Sequence, residues 1–177
     1  SDPSFDRLPK AVMVPSIDYM MGWPNYAAVY GRMRVVDPPK RIVVLGTHQG
    51  GFATGVCGCD KGYESPLGLS PLDTEFVDRL KTNLGSEHAE AMFKHRFDHE
   101  REHSIELHIP WIQHVFGTDD RGQHVPVYGA LVHDPMRNGG KSYDGEGVDL
   151  DPFIEGLRAA MDDAGGKTLI IASADLS

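Results

Sequence analysis

The stretch RIVVLGTHQGG, residues 41–51, decides the fold. Its β-branched and aliphatic run, 42–45, is ended by Gly46, which is typical of a short strand buried on both faces. A similar run at 11–14 is ended by Pro15. Aromatic and apolar residues recur at helical spacing between the two runs: Tyr26, Val29, Tyr30 and Met33. The order strand, helix, strand predicts a βαβ unit in a parallel sheet.

Two further helices are predicted downstream, each opening with a capping residue followed by proline. The first spans 70–85, with Ser70 as its N-cap, and the second spans 151–166, with Asp151 in the same place. Both stretches close on glycine. Two apolar runs, 125–132 and 168–173, predict further buried strands, so the pattern as a whole indicates an α/β fold.

Composition bounds the class of protein. The chain has 177 residues, enough for one domain, and its net charge is −9 without a long basic run, so we expect no nucleic-acid partner. No apolar run approaches the roughly 18 residues that a membrane helix needs. Cys57 and Cys59 are too close on one strand for a disulfide framework. We therefore expect a soluble, cytoplasmic protein.

Polar side chains follow three of the predicted strands. They are Ser16 and Asp18 after the first strand, His48 and Gln49 after the second, and Asp175 and Ser177 after the last. Because ligands of open α/β sheets collect at the carboxyl ends of the strands, we expect these residues to share one pocket. For each residue taken alone, a turn or capping role is the alternative.

The segment DHEREHSIELHIPW, 98–111, admits two interpretations. His99, Glu100 and His103 spell the H-E-x-x-H signature of a zinc hydrolase, which needs both imidazoles on one rigid helix. The surrounding residues show no apolar stripe that would bury such a helix. The other interpretation is a helix that begins near Ser104, with apolar residues at helical spacing: Ile105, Ile109, Ile112 and Phe116.

In this second interpretation Glu102 and His103 stand at the mouth of the pocket. His103 is then either a capping residue or a general acid or base, because imidazole titrates near neutral pH. Pro110 lies in an early turn or at a kink. His108, on the helix, is expected to be a packing residue.

Five segments together resemble the Memo family, in the bacterial branch labelled AmmeMemoRadiSam system protein B. They are VPSIDYMMGWPNYAAVYG (14–31), VVLGTHQGG (43–51), ESPLGLSPLDTEFVDRL (64–80), REHSIELHIPWIQHVFG (101–117) and LIIASADLS (169–177). The resemblance implies a three-layer αβα fold with a mostly parallel central sheet, similar to class III extradiol nonheme-iron dioxygenases. It also implies a strand-end pocket lined by histidines.

Carried over by motif, the resemblance implies His48 as a metal ligand and His103 and Asp175 as catalytic residues. Ser16 stands where the family usually has a histidine, and the family's third histidine would come directly after Ser177. We therefore expect residues 1–177 to be the N-terminal portion of a single Memo-like domain. The chain is then either a truncated piece or one product of a cleavage, and in the second case we expect the remainder as a second chain that acts as a partner.

The resemblance implies a metal-dependent, dioxygenase-like oxidoreductase acting on a small molecule of unknown identity. One divalent iron, copper or zinc ion would be held by His48, and the substrate would contact Ser16, Asp18, Gln49 and Glu102. Since a hydroxyl is a poorer transition-metal ligand than imidazole, a second hypothesis stays open. In that hypothesis the chain is a metal-free binding module for a small anion or a phosphopeptide.

Overall fold

The computed structural model of the protein describes residues 5–34, 36–133 and 147–174. Within them lie seven strands: β1 (Ala11–Pro15), β2 (Arg41–His48), β3 (Cys57–Gly58), β4 (Tyr63–Ser65), β5 (Gly68–Ser70), β6 (Val127–His133) and β7 (Thr168–Ala174). The helices are α1 (Tyr19–Met33), α2 (Thr74–Leu84), α3 (Ser86–Phe93), α4 (Ile109–Phe116) and α5 (Leu150–Ala164). Two 3-10 helices, Arg96–Arg101 and Glu106–His108, lead into α4.

The central sheet has the strand order β1-β7-β2-β6-β3, in which only the β3–β6 pairing is antiparallel. The predicted βαβ unit is confirmed, because β1, α1 and β2 follow one another and both strands run in the same direction. However, β7 lies between β1 and β2, so the first two strands are not neighbours. Strands β4 and β5 form a separate hairpin.

Alternate residues along each strand face two different helical layers. On β2, Ile42 and Val44 pack against α1 and α4, whereas Val43 packs against α2 and α5. Both faces of the sheet are therefore buried, which explains the continuous apolar runs in the sequence. The fold is the predicted α/β arrangement, with helices on both sides of a mostly parallel sheet.

The predicted starts of α2 and α5 were wrong by a few residues. Asp73, not Ser70, caps α2 by accepting a hydrogen bond from the Phe76 N–H at 3.0 Å, because Ser70 is taken up by strand β5. Asp149, not Asp151, is the N-cap of α5, and its carboxylate accepts from the Leu150 N–H. The glycine ends at Gly85 and Gly165 are confirmed.

The helix expected from Ser104 begins as a turn and a 3-10 helix, and α4 proper starts at Ile109. Pro110 lies in the first turn of α4, where a proline costs no hydrogen bond. Cys57 and Cys59 are buried free thiols, as expected. No helix in residues 5–34, 36–133 or 147–174 combines the length and the apolar character that crossing a membrane requires.

Candidate functional site

A cleft of about 660 Å³ opens at the carboxyl edge of the parallel sheet. Its walls bring together five of the residues predicted from the sequence: Ser16, Asp18, Gln49, Glu102 and His103. They come from three separate stretches of chain, and the ends of β1 and β2 position three of them. Of the described residues expected at the strand ends, Ser16, Asp18 and Gln49 line the cleft, whereas His48 is buried and is not part of its wall.

The wall after β1 is fixed by backbone and capping bonds. The Ser16 N–H donates to the Ala174 carbonyl at 2.9 Å, which ties the end of β1 to the end of β7. Asp18 is the N-cap of α1, and its carboxylate accepts from the Met21 N–H at 3.2 Å. Asp175 lies outside the described residues, so its catalytic role stays a prediction.

The opposite wall is a loop, 49–53, wrapped around two carboxylates. Glu102 accepts hydrogen bonds from the N–H groups of Gln49 and Gly50, each at 2.8 Å. Asp98 accepts from the N–H groups of Phe52 and Ala53 at 2.9 and 2.7 Å. Backbone donors at a turn are a common anion-binding feature, and here the protein's own carboxylates occupy them.

Gly51 allows this close wrapping. Its φ of +101° is a conformation that side chains other than glycine rarely adopt, and a Cβ there would stand 2.5 Å from the Asp98 Cγ. Of the two glycines in this loop, Gly51 is therefore required for steric reasons. Asp98 was not predicted from the sequence as a functional residue.

His48, at the end of β2, is buried, and its Nε2 lies 3.0 Å from Asp98 Oδ2. Burial alone would raise the pKa of Asp98. However, hydrogen bonds from Ala53, His48 and Phe52 outweigh it and lower the pKa, so the carboxylate is ionised at neutral pH. An ionised carboxylate only accepts, so His48 donates its Nε2–H. Asp98 therefore fixes the tautomer and the orientation of the predicted metal ligand.

A second histidine ends the neighbouring strand. His133 is the register partner of His48 in the parallel β2–β6 pair, and both side chains are buried. Paired residues of parallel strands point to the same face of the sheet, so the two imidazoles share one side of the strand-end edge. His133 was not predicted from the sequence, although it follows an apolar run just as His48 does.

His103 lies on the rim of the cleft with 79% of its side chain exposed, and its Nδ1 is 3.5 Å from Glu106 Oε2. This confirms the expected position at the mouth of the pocket. The carboxylate beside the ring is Glu106, while Glu102 is engaged with loop 49–53. His103 is thus accessible to a ligand and to solvent protons.

The H-E-x-x-H match does not form a zinc-hydrolase arrangement. His99 lies on a 3-10 helix, donating from Nε2 to the Cys57 carbonyl and facing the Tyr63 hydroxyl with Nδ1. Glu100 lines a second cleft together with His99, whereas His103 lines the strand-end cleft. Both nitrogens of His99 are engaged, and the two imidazoles open on different sides.

Comparison with known sequences agrees with the motifs. The family model described as Memo-like protein matches residues 1–141. The chain belongs to the Memo-like family. The strand-end cleft and the residues of loop 49–53 all fall within the matched region.

The curated relatives carry the family description only. A MEMO1 family protein of Methanopyrus kandleri is 32% identical over 124 residues, which cover 70% of this chain and 41% of the relative. A MEMO1 family protein of Desulfurococcus amylolyticus is 29% identical over 166 residues, covering 93% of this chain and 52% of the relative. The Memo-like chain thus spans about half the length of the curated relatives that it matches.

The strand-end histidines of the Memo-like chain supply donor atoms of a kind that transition metals prefer but not, among the described residues, a complete ligand set. Imidazole and carboxylate donors suit iron, copper and zinc, and a histidine ligand held by a carboxylate through its other nitrogen is a common arrangement. Ser16 supplies a hydroxyl where an imidazole would be the stronger ligand. Within the described part of the chain, no group of three or more His, Cys, Asp or Glu side chains is placed to hold a metal.

Proposed function

We propose that this Memo-like chain carries part of a metal-dependent oxidoreductase site that acts on a small molecule in the strand-end cleft. The observation that supports the proposal is the Asp98–His48 pair at the end of β2, next to His133 at the end of β6. A buried carboxylate that fixes a strand-end imidazole is the support that a metal-binding histidine needs. The proposal calls for a further donor outside the described residues, and Asp175 keeps the catalytic role that the resemblance implies.

The buried strand-end residues and the residues of the cleft wall have distinct proposed roles. His48 and His133 hold the metal, and Asp98 keeps the His48 ring in one orientation. Glu102 holds loop 49–53 and thereby the position of Gln49 in the wall. A divalent transition metal supplies Lewis acidity and, for iron or copper, redox chemistry.

The substrate would enter past His103. Its exposed imidazole, next to Glu106, accepts or gives up a proton at Nε2 while the carboxylate faces Nδ1. Ser16 and Asp18 form the other wall and offer hydrogen bonds to a polar substrate. A cleft of about 660 Å³ falls in the range of small-molecule sites, roughly 300–1,000 Å³.

The alternative of an anion-binding module is less well supported. The four loop N–H groups that would bind an anion already donate to Glu102 and Asp98. Asp18 and Glu102 also line the cleft and would repel a phosphate group, against the single guanidinium of Arg101. We therefore favour the oxidoreductase site over the binding module.

Metal stoichiometry tests the proposal. The untagged chain is incubated with Fe²⁺, Cu²⁺ or Zn²⁺, dialysed, and assayed by inductively coupled plasma mass spectrometry. We expect about one ion per chain, lost in His48→Gln and bound roughly 10- to 100-fold more weakly in Asp98→Asn. His88→Gln removes an exposed histidine on α3 and serves as the matched control.

Two results would contradict the proposal. One is a wild-type chain that binds no more metal than the His48→Gln variant does. The other is a His48→Gln variant that retains the full metal content. Circular dichroism of each variant shows whether it is folded, so that a loss of metal is not confused with unfolding.

A further inference from the structure

The end of the sheet opposite the strand-end cleft carries a row of lysines. Lys10, Lys167 and Lys40 each immediately precede one of three neighbouring parallel strands, β1, β7 and β2. The Lys10 carbonyl accepts from the Ile170 N–H at 3.0 Å, and the Lys40 N–H donates to the Lys167 carbonyl at 2.8 Å. Lys40 and Lys167 are therefore direct neighbours, whereas Lys10 lies beside Leu169, two residues further along β7.

A cleft of about 730 Å³ lies along this row. Arg7, Lys10 and Lys167 line it, and Asp162 is the one carboxylate in its wall. Lys40 adjoins the same edge, because its Cδ would be 2.8 Å from a Cβ placed on Gly166. Four cations thus surround one end of a chain whose net charge is −9.

These cations form no close ion pairs with the described residues, although Lys40 interacts electrostatically with Glu75 and Asp162 lies in the cleft wall. All four side chains are exposed, and none forms an ion pair with a residue in 5–34, 36–133 or 147–174. Like charges placed together repel one another, and a bound anion relieves that repulsion. In a strongly acidic chain, such a cluster attracts anions to this end of the molecule.

The cleft also has an apolar wall. Leu8, Pro9 and Met161 line it and are half-buried. The volume falls in the range of small-molecule pockets, roughly 300–1,000 Å³, in which apolar surface holds the body of a ligand and a few polar groups orient it. Cations on one side and apolar side chains on the other fit a ligand with two chemically different parts.

We propose that this cleft, formed by Arg7, Lys10, Lys167 and the apolar wall, binds a nucleoside polyphosphate. The phosphate groups lie along the lysine row, and the base packs against Leu8 and Met161. The site is separate from the strand-end cleft and stands on its own residues. Nucleotide binding at this cleft can therefore be confirmed or refuted independently of the metal proposal.

Isothermal titration calorimetry with adenosine triphosphate at low salt tests the site. We expect saturable binding of one molecule per chain, with inorganic triphosphate and adenosine each binding more weakly. The double variant Lys10→Gln/Lys167→Gln should lose about tenfold or more in affinity, because two charge-assisted contacts disappear. The matched control, Lys81→Gln/Lys94→Gln, removes the same charge from α2 and the end of α3 and should leave binding unchanged.

Several results would overturn the proposal. Absence of saturable binding by adenosine triphosphate is one, and an equal loss of affinity in both double variants is another, since it would reflect net charge alone. Inorganic triphosphate binding as tightly as adenosine triphosphate would remove the role of the apolar wall. An acidic peptide of equal charge that binds more tightly than the nucleotide would assign the cleft to a protein partner.

Discussion

His108 should make the stability of the protein fall as the pH falls below neutrality. The ring is fully buried between α1 and α4, and its Nδ1 is hydrogen-bonded to the Tyr30 hydroxyl at 2.8 Å. Burial lowers the pKa of His108 from its ordinary value of 6.5 to about 4. The unfolded chain therefore binds a proton between pH 6.5 and 4 that the folded chain does not, and the free energy of unfolding decreases with falling pH across that window.

The size of the effect follows from the two pKa values. One pKa unit corresponds to about 1.4 kcal/mol, so the complete effect below pH 4 is about 3 kcal/mol. At pH 5 most of it is already present, and the free energy of unfolding should be about 2 kcal/mol lower than at pH 8. That is a large share of the 5–15 kcal/mol that stabilises a typical domain.

Urea unfolding at pH 8 and pH 5 measures the effect by comparing variants. His108→Gln keeps a hydrogen-bonding group opposite Tyr30 but does not titrate, so its stability should change about 2 kcal/mol less between the two pH values than that of the wild type. His114→Gln removes an exposed histidine from α4, the helix that directly follows His108, and should follow the wild type. If His108→Gln and the wild type lose equal stability on acidification, the burial argument is wrong.

Two further substitutions test local features. Gly51→Ala should lower the free energy of unfolding by about 2 kcal/mol or more, because it forces a left-handed backbone and a clash with Asp98, whereas Gly50→Ala, whose Cβ would meet no neighbouring atom within 4 Å, should be tolerated far better. Thermal unfolding that ranks the two equally would refute this. Asp73→Ala should destabilise the chain by about 1–2 kcal/mol or more, because it removes both the α2 cap and the carboxylate that pairs with the buried Arg41 at 3.1 Å, and Asp78→Ala, at an exposed position in the same helix, should cost less. Equal urea midpoints for this second pair would show that the cap has no role.

Much of the fold was accessible from the sequence because the strands are buried on both faces. The runs 42–45 and 11–14 carry their own signal, and so does the spacing of Tyr26 and Tyr30 in α1. The insertion of β7 between β1 and β2 has no local signal, since strand order depends on contacts more than 100 residues apart. Sequence periodicity indicates which face of a strand is buried, but not which strand will pair with it.

The start of α2 shows a different limit. Ser70 followed by proline and Asp73 followed by threonine are both plausible helix starts. Ser70 does not cap the helix because it pairs with Tyr63 in the β4–β5 hairpin and its hydroxyl accepts a hydrogen bond from the Gln113 amide at 3.0 Å. Tertiary contacts thus decide between two equivalent local signals.

The residues of the site that directly follow strands were predicted from the sequence, whereas Asp98, which is buried under a turn, was not. Ser16 and Gln49 follow strands, so one topological rule brings them together. The same rule applied to the run at 125–132 would have found His133. Asp98 stands in a polar stretch, DHEREH, where acidic residues look solvent-exposed, and only the folded loop 49–53 explains its burial.

The most direct test of the central claim is a crystal structure of the chain with the bound transition metal located by anomalous scattering. We predict one strong peak about 2.0–2.2 Å from an imidazole nitrogen of His48, with Asp98 still hydrogen-bonded to the other nitrogen. A peak confined to surface histidines such as His88 or His114 would contradict the account. So would a His48 ring that contacts Asp98 but no metal in a crystal that contains stoichiometric metal.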